Sequence, residues 1–187
     1  MSPPDHLATE RLLLRRWRDE DLEPYAALNA DPAVMEHMPS LLSREESAAH
    51  IAAMERGWDE RGYGLWAVER RDTGAMVGFV GCNDPGFDAP FMPAVEVGWR
   101  LARSHWGHGF ATEAAVASLD DVFGRVRLDE VVSFTTPPNH RSQAVMTRVG
   151  LRRDPAGDFE HPRLPEGHRL RHHLLYRVSA DEWQERE

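Results

Sequence analysis

The sequence predicts a single domain of mixed α/β type, and three observations support this fold class. The chain has 187 residues, of which 41% are hydrophobic, so it can bury a core of its own. Short apolar or β-branched runs alternate with helix-periodic segments in the second half of the chain. No repeat or low-complexity tract interrupts this alternation. We therefore expect an α/β or α+β architecture with a mixed sheet.

Composition excludes several classes of protein. No stretch approaches the roughly 18 apolar residues of a membrane helix, and the N-terminal residues lack the basic start and apolar run of a secretory signal. The net charge of -9 argues against a nucleic-acid partner and mildly favours a cationic one. Cys82 is the only cysteine, which fits a reducing compartment. We expect a cytoplasmic protein without a membrane or nucleic-acid partner.

The N-terminal half of the chain begins with one strand and two helices. Residues 11–17, "RLLLRRW", predict a strand, and the acidic "DED" that follows begins a helix over 19–29. Ser43 and Glu46 have the spacing of a capping box. They predict a second helix that continues to about Arg61.

A hairpin and a further strand follow. The runs "LWAVER" and "AMVGFVGCN" lie on either side of the turn signal "RDTG" and predict two antiparallel strands. The stretch "AVEVGWRLA" (94–102) predicts another strand. In it Val97 and Trp99 face one way, while Glu96 and Gly98 face the other.

Two helices and two strands complete the prediction. Apolar positions recur at helical spacing from about His108 to Phe123, and Gly124 can close that helix. The run "EVVSFTT" predicts a strand, and "NHRSQAVMTRVG" predicts a helix capped by Asn139 and ended by Gly150. The Pro- and Gly-rich "DPAGDFEHPRLPEGH" predicts an irregular segment before a last strand, "RLRHHLLYRV".

The stretch "RSHWGHGFATEAA" (103–115) places Gly107 and Gly109 where strand gives way to helix. Helix starts carry unpaired N–H groups and a partial positive charge, which suit anions. Glycines there leave out the Cβ atoms that would hold a phosphate away from the amides. The pattern predicts a pyrophosphate site on the amides of about Trp106 to Ala111. A tight connection with small residues for packing is the alternative.

The residues around these glycines restrict the phosphate ligand. A Walker loop needs Lys and Ser or Thr after its last glycine, and Phe110 and Ala111 stand there instead. A Rossmann fingerprint needs a third glycine where Thr112 stands, and an acidic residue at the end of the next strand. Asp129 and Glu130 lie at the beginning of that strand. A dinucleotide-dependent enzyme is therefore the weaker alternative.

Two segments carry a family resemblance. "VEVGWRLARSHWGHGFATEAA", followed by "NHRSQAVMTRVGL", resembles the GNAT N-acetyltransferases, above all the RimJ/RimL branch that acetylates N-termini of ribosomal proteins. The resemblance runs from about Thr9 to Val178 within one domain of residues 1–187. It implies the GNAT fold, a mixed, mostly antiparallel twisted sheet of about seven strands flanked by about four helices. One departure is Ser104, where the general family has Gln or Arg.

The resemblance implies an N-acetyltransferase with acetyl-CoA as co-substrate and no metal. The acetyl group would pass directly to a primary amine, either a protein N-terminus or a small amine, and a homodimer is common in the family. A non-catalytic acyl-CoA-binding or sensor domain with the same fold is the alternative. The implied cofactor-binding residues are Val97, Gly98, Trp99, Ser104, His105, Trp106, Gly107, His108, Gly109, Phe110, Ala111, Thr112, Asn139 and Ser142.

Ser142 and Asn139 lie at the start of a predicted helix. Ser142 shares a helical stripe with Met146 and Val149, so its hydroxyl is expected to point inward. By resemblance, Asn139 binds the pantetheine arm of the coenzyme and Ser142 donates a proton to its sulfur. The alternative is that both residues only serve the helix start.

The general base has several candidates. Glu96 lies on the same strand face as Gly98 and can take a proton from the amine, directly or through water. Its alternative role is an ion pair with Arg100 or Arg15. Asp158 and Glu160 are further candidates in the irregular segment. His168 and His172 have a helical ligand spacing, but on a strand they would lie about 13 Å apart, so we expect no metal site.

Overall fold

A single eight-stranded sheet organises the structure, which a computed structural model describes for residues 4–186. Residues 1–3 and 187, at the ends of the predicted domain, lie outside the described residues. The strands are β1 (His6–Ala8), β2 (Leu12–Arg15), β3 (Leu65–Arg70), β4 (Met76–Asn83), β5 (Glu96–Leu101), β6 (Glu130–Thr135), β7 (Arg152–Glu160) and β8 (His172–Ser179). The helices are α1 (Leu22–Asn29), α2 (Arg44–Arg61), α3 (Phe110–Asp121), α4 (His140–Val149) and α5 (Ala180–Gln184).

The sheet is mixed and mostly antiparallel, as predicted. Its spatial order is β1-β2-β3-β4-β5-β6-β8-β7. Every neighbouring pair is antiparallel except β5 and β6, which run parallel. The predicted fold class is therefore confirmed, with eight strands and five helices in place of about seven and about four.

Local signals place the helices where the sequence predicts them. Ser43 caps α2, since its hydroxyl accepts from the Glu46 amide and the Glu46 carboxylate accepts from the Ser43 amide. The helix ends at Gly62, which takes the left-handed conformation with φ 72°. Asn139 caps α4 by accepting from the Ser142 amide at 3.2 Å, and Gly150 ends that helix with φ 104°.

The predicted end of α3 at Gly124 is wrong. The α-helix passes at Val122 into a π-helical turn that continues to Val126. The segment ends at Arg127, which has φ 65°. The helical segment therefore ends at Arg127, which is not a glycine, and Gly124 does not terminate it.

The irregular segment predicted over 154–168 is partly wrong, because β7 runs through its first half. The β7–β8 ladder shifts register between Asp154 and Phe159, which leaves Pro155 and Gly157 in a bulged stretch. β7 is also an edge strand, where a proline that lacks an N–H group is tolerated. The short β1 and α5 are the other elements that sequence patterns did not predict.

Side chains on the two faces of the sheet pack against different helices. One core includes Val80 and Val97 of the sheet with Leu119 of α3 and Met146 of α4. The other includes Phe79 and Ala67 of the sheet with Tyr25 of α1 and Met54 of α2. Alternation along β5 therefore turns Glu96, Gly98 and Arg100 to the α1–α2 side and Trp99 to the α3–α4 side.

The parallel pair β5–β6 is joined at a single register position, Glu96 opposite Val132. The Val132 amide donates to the Val95 carbonyl at 2.9 Å beside it. Beyond that point the strands diverge. By alternation the peptide group of Trp99 faces β6, so it is left without a strand partner at the resulting gap.

Gly81 and Gly98 are register partners in β4 and β5, but only one has room for a side chain. A Cβ at Gly81 would lie 2.2 Å from the Gly64 carbonyl oxygen, whereas at Gly98 its nearest neighbour is Glu96 Oε1 at 3.6 Å. We expect Gly81→Ala to lower the free energy of unfolding by about 1–3 kcal/mol, because the backbone must shift. Gly98→Ala should change it by about 0.5 kcal/mol or less. Urea denaturation measures both; equal losses would contradict this account.

Candidate active site

A cleft of about 710 Å³ opens where β5 and β6 diverge. It brings together twelve of the residues that the sequence singles out: Glu96, Gly98, Trp99, His105, Trp106, Gly107, Gly109, Phe110, Ala111, Thr112, Asn139 and Ser142. Three others do not line it. Val97 of β5 is fully buried in the core, and Ser104 and His108 are exposed on the loop before α3.

The start of α3 is open to a ligand. Gly109 is its N-cap and offers no side-chain cap, in contrast to Ser43 at α2 and Asn139 at α4. Gly107 and Gly109 have φ 78° and 80°, a left-handed conformation that favours glycine. Within the described chain, the amides of residues 107–109 donate to no protein acceptor. The unpaired donors and the positive end of the helix thus face the cleft.

Arg11 supports this loop, and sequence reasoning missed it. Its Nη1 donates to the His108 carbonyl at 2.9 Å, and its guanidinium pairs with Glu113 at 2.6 Å. The same group lies 5.0 Å from the centre of the Phe110 ring. Because Arg11 is 97 positions away from His108, no local pattern could reveal the contact. Arg11 holds the loop and places a half-exposed cation beside the α3 start.

Ser142 is held by a partner that leaves its own proton free. The Trp99 indole Nε1 donates to Ser142 Oγ at 3.2 Å. An indole is a donor only, so the serine oxygen accepts and its O–H group remains available to another acceptor. Asn139 fixes the same turn, since it accepts from the Ser142 amide and donates to Thr135 Oγ1 at 2.9 Å. The family resemblance assigned the backbone of Trp99 to this site. It did not predict the hydrogen bond from the Trp99 side chain to Ser142.

Glu96 faces the cleft without an ion-pair partner among residues 4–186. It also lines a second cavity of about 210 Å³, so its carboxylate lies where the two spaces meet. Burial raises the pKa of Glu96 to about 8. The alternative ion pairs do not form. Arg15 pairs with Asp21 at 2.7 Å and Glu69 at 2.9 Å, and Arg100 donates to an asparagine.

The other candidate carboxylates lie outside both cavities. Asp158 pairs with Arg153 and accepts from the Leu175 amide at 3.0 Å. Glu160 Oε1 lies 3.0 Å from His172 Nδ1, and both of these residues are exposed. Both carboxylates are thus engaged in contacts within their own hairpin.

Other groups with possible chemistry lie away from the cleft. Cys82 is buried in β4, where burial raises the pKa of its thiol. Over residues 4–186, no group of three or more His, Cys, Asp and Glu side chains is placed to hold a metal ion. No helix in that range is long and apolar enough to cross a bilayer.

Known proteins share this family and this fold. The family model described as "Acetyltransferase (GNAT) domain" matches residues 11–152. The uncharacterized N-acetyltransferase YnaD of Bacillus subtilis (strain 168) is 25% identical over 95% of this chain and 99% of its own.

Two solved structures extend the comparison. An acetyltransferase from Agrobacterium tumefaciens is 30% identical, with a TM-score of 0.75 and 95% of each chain covered. RimL, a ribosomal-protein α-N-acetyltransferase in complex with coenzyme A, is 18% identical and shares the fold, with a TM-score of 0.74 over 94% of this chain and 98% of that one.

Burial makes the Glu96 carboxyl hold its proton more tightly in the folded than in the unfolded chain. Its contribution to stability is therefore complete below about pH 4.5 and lost as the pH rises through about 8. The loss amounts to at most about 1.4 kcal/mol per pH unit. Since Glu96→Gln cannot ionise, we expect this variant to be more stable than wild type at about pH 9 and similar to it near pH 4.5.

Urea denaturation at several pH values measures the difference. Glu166→Gln, which changes an exposed carboxylate away from the cleft, is the control and should follow wild type throughout. A wild-type free energy of unfolding that follows the Glu96→Gln curve at every pH would contradict the prediction.

Proposed function

The chain belongs to the GNAT acetyltransferase family, and we propose that it transfers the acetyl group of acetyl-CoA directly to a primary amine. The acceptor is a protein N-terminus or a small amine. One observation carries the proposal: a single cleft is lined by the uncapped start of α3, by Ser142 and by Glu96. These three features match the needs of the reaction, namely an anion site, a proton donor and a base.

The start of α3 fits the diphosphate of acetyl-CoA. The amides over residues 107–112 lack side-chain caps, and a Cβ at Gly107 would meet no protein atom within 4 Å. The space over that loop is therefore open for phosphate oxygens. Arg141 and Arg148 line the same cleft, and Arg141 lies 4.6 Å from the centre of the Trp106 ring. They bring positive charge to the coenzyme side of an otherwise acidic protein.

Proton transfers follow from the positions of Glu96 and Ser142. Ionised Glu96 takes a proton from the acceptor ammonium, because only the neutral amine is a nucleophile. The amine nitrogen then forms a bond to the thioester carbon, and the carbon–sulfur bond breaks. Ser142 gives its hydroxyl proton to the departing sulfur while Trp99 holds the serine oxygen. The new amide nitrogen loses its second proton, which restores the serine hydroxyl. The ionised fraction of Glu96 increases as the pH passes about 8, so the reaction is favoured in alkaline solution.

The unpaired peptide of Trp99 supplies the remaining element. Its N–H group faces the gap between β5 and β6, where negative charge develops on the acetyl oxygen. Because the strand is fixed by its antiparallel ladder with β4, this donor is positioned before the substrates bind.

Release of free thiol from acetyl-CoA, measured with a panel of amines and N-terminal peptides, tests the function. Acetylation of at least one acceptor supports it. The non-catalytic alternative would instead show coenzyme binding, no acetylation of any amine, and no effect of Ser142→Ala or Glu96→Gln on coenzyme affinity.

Valine at either loop glycine should weaken coenzyme binding. Gly107→Val and Gly109→Val place a β-branched residue at positive φ, which strains the loop by about 1–3 kcal/mol, and cover the amides. We expect the Kd for CoA to rise at least about tenfold, the value of one lost charged hydrogen bond. Calorimetric titration with CoA measures the change.

Gly74→Val is the matched control for this experiment. Gly74 has φ 69° and open space around it, but lies in the β3–β4 turn away from the cleft. Gly74→Val therefore introduces the same backbone strain as the two loop variants, but outside the proposed coenzyme site. A Kd that rises equally in the Gly74 and Gly107 variants, or in neither, would count against the assigned loop.

Removing the Ser142 hydroxyl should slow the reaction without releasing the coenzyme. We expect Ser142→Ala to lower kcat by about 10²- to 10⁴-fold, the usual contribution of general acid–base catalysis. Thr147→Ala removes an exposed hydroxyl from the same helix and should leave kcat unchanged. Steady-state kinetics with saturating acetyl-CoA measure both. Equal kcat values for the two variants would show that Ser142 is not the proton donor.

A further inference from the structure

Arg100 is a largely buried cation that lines the cleft, and no carboxylate pairs with it in the described part of the chain. Its Nη1 donates to Asn29 Oδ1 at 2.7 Å, and its Nη2 lies 3.2 Å from Met38 Sδ. Burial lowers the pKa of the Arg100 guanidinium. An amide and a thioether do not neutralise a buried charge. By contrast, the buried Arg15 has two carboxylate partners.

Hydrogen bonds to Asn29, and from Asn29 to Ser47, fix the position of the Arg100 guanidinium. Asn29 is fully buried, and its Nδ2 donates to Ser47 Oγ of α2 at 3.0 Å. That bond directs Asn29 Oδ1 toward Arg100. A guanidinium has five N–H groups, so donors remain for a ligand in the cleft. Arg100 is thus an oriented cation whose charge is left uncompensated by the protein.

Arg100 and Glu96 lie on the same face of β5 with Gly98 between them. Glu96 Oε1 lies 3.6 Å from the position that a Cβ on Gly98 would occupy. The carboxylate therefore leans along the strand toward Arg100, over a slot that has no side chain in it. A ligand in this slot meets the Glu96 carboxyl group at one end and the Arg100 cation at the other.

The second cavity supplies the third contact surface. It shares Glu96, His37, Met38, Phe134 and Thr135 with the cleft, and Glu96 is the only carboxylate among the described residues that line it. Its other lining residues are Pro39, Thr136, His161, Leu164, Leu170 and His173. Burial lowers the pKa of all three histidines, that of His173 to about 4, so their rings are neutral near pH 7. At about 210 Å³ the cavity can take one uncharged side chain. It lacks the carboxylates that a polyamine would need.

We propose that the acceptor is a free α-amino acid with an apolar side chain, whose amine meets Glu96, whose carboxylate meets Arg100 and whose side chain enters the second cavity. This inference rests on the proposed acetyl transfer and names its substrate class. The amine forms the new amide bond as described above, and the carboxylate remains unchanged. The amine donates to the Glu96 carboxylate, and the carboxylate accepts from the Arg100 guanidinium.

A pair of probes that differ at the carboxylate tests the proposal. Leucine and leucinamide share the amine and the side chain, but only leucine carries the anion. We expect kcat/KM for leucine to exceed that for leucinamide at least about tenfold, the discrimination of one charge-assisted hydrogen bond. In Arg100→Gln this ratio should fall to near one. Partial unfolding would not alter the ratio, because both probes meet the same preparation.

Arg125→Gln is the matched control. Arg125 is also largely buried, but it pairs with Asp121 and donates to the Gly62 carbonyl on the far side of the sheet from Arg100. The preference for leucine should survive this change. A wild-type enzyme that acetylates leucinamide as well as leucine, or a preference that survives Arg100→Gln, would overturn the proposal.

Direct binding separates this proposal from the proposed function. Leucine is titrated calorimetrically into wild-type and Arg100→Gln protein saturated with CoA. If leucine binds only to wild type and no amine is acetylated, the acceptor site stands and the transferase function fails. If a polyamine or an N-terminal peptide is acetylated while leucine neither binds nor reacts, the function stands and the amino-acid site is overturned.

Discussion

The single register pair between β5 and β6 is the constraint on which the site depends. A parallel pair that continued along both strands would use the N–H and C=O groups of Trp99 in the ladder. Because pairing stops at Glu96 and Val132, the sheet opens and those groups stay unpaired. The helices that follow the two strands, α3 and α4, both begin at the same opening. Backbone donors, helix starts and side chains therefore meet at the opening between β5 and β6.

The net charge of the chain does not reveal the positive charge in the cleft. The chain as a whole carries a net charge of -9, yet Arg100, Arg141 and Arg148 all line the cleft. Arg141 and Arg148 belong to α4, on the α3–α4 side of the sheet. Arg100 faces the opposite side of β5, beneath the α1–α2 pair. The acidic surface thus gives no guidance about the sign of the groups that the cleft itself recognises.

The sequence predicts those parts of the structure that depend on neighbouring residues. The caps at Ser43 and Asn139 and the glycines at 107 and 109 are local signals, and the helices start accordingly. The family resemblance supplied the arrangement of the sheet. Contacts between distant segments could not be predicted, such as Arg11 with the His108 carbonyl or the Trp99 indole with Ser142. The strand β7 was missed for a related reason, because its bulge at Pro155 is tolerated only at an edge that topology creates.

The hydrogen bonds that join Ser47 to Asn29 and Asn29 to Arg100 link helix α2 to the floor of the cleft through two contacts. Ser47 itself is fully buried and touches neither cavity. A substitution there would turn the asparagine and so re-aim the guanidinium. Under the proposed binding of the acceptor by Arg100, a change of specificity can therefore arise at a residue outside both cavities, without any change in the residues that line them.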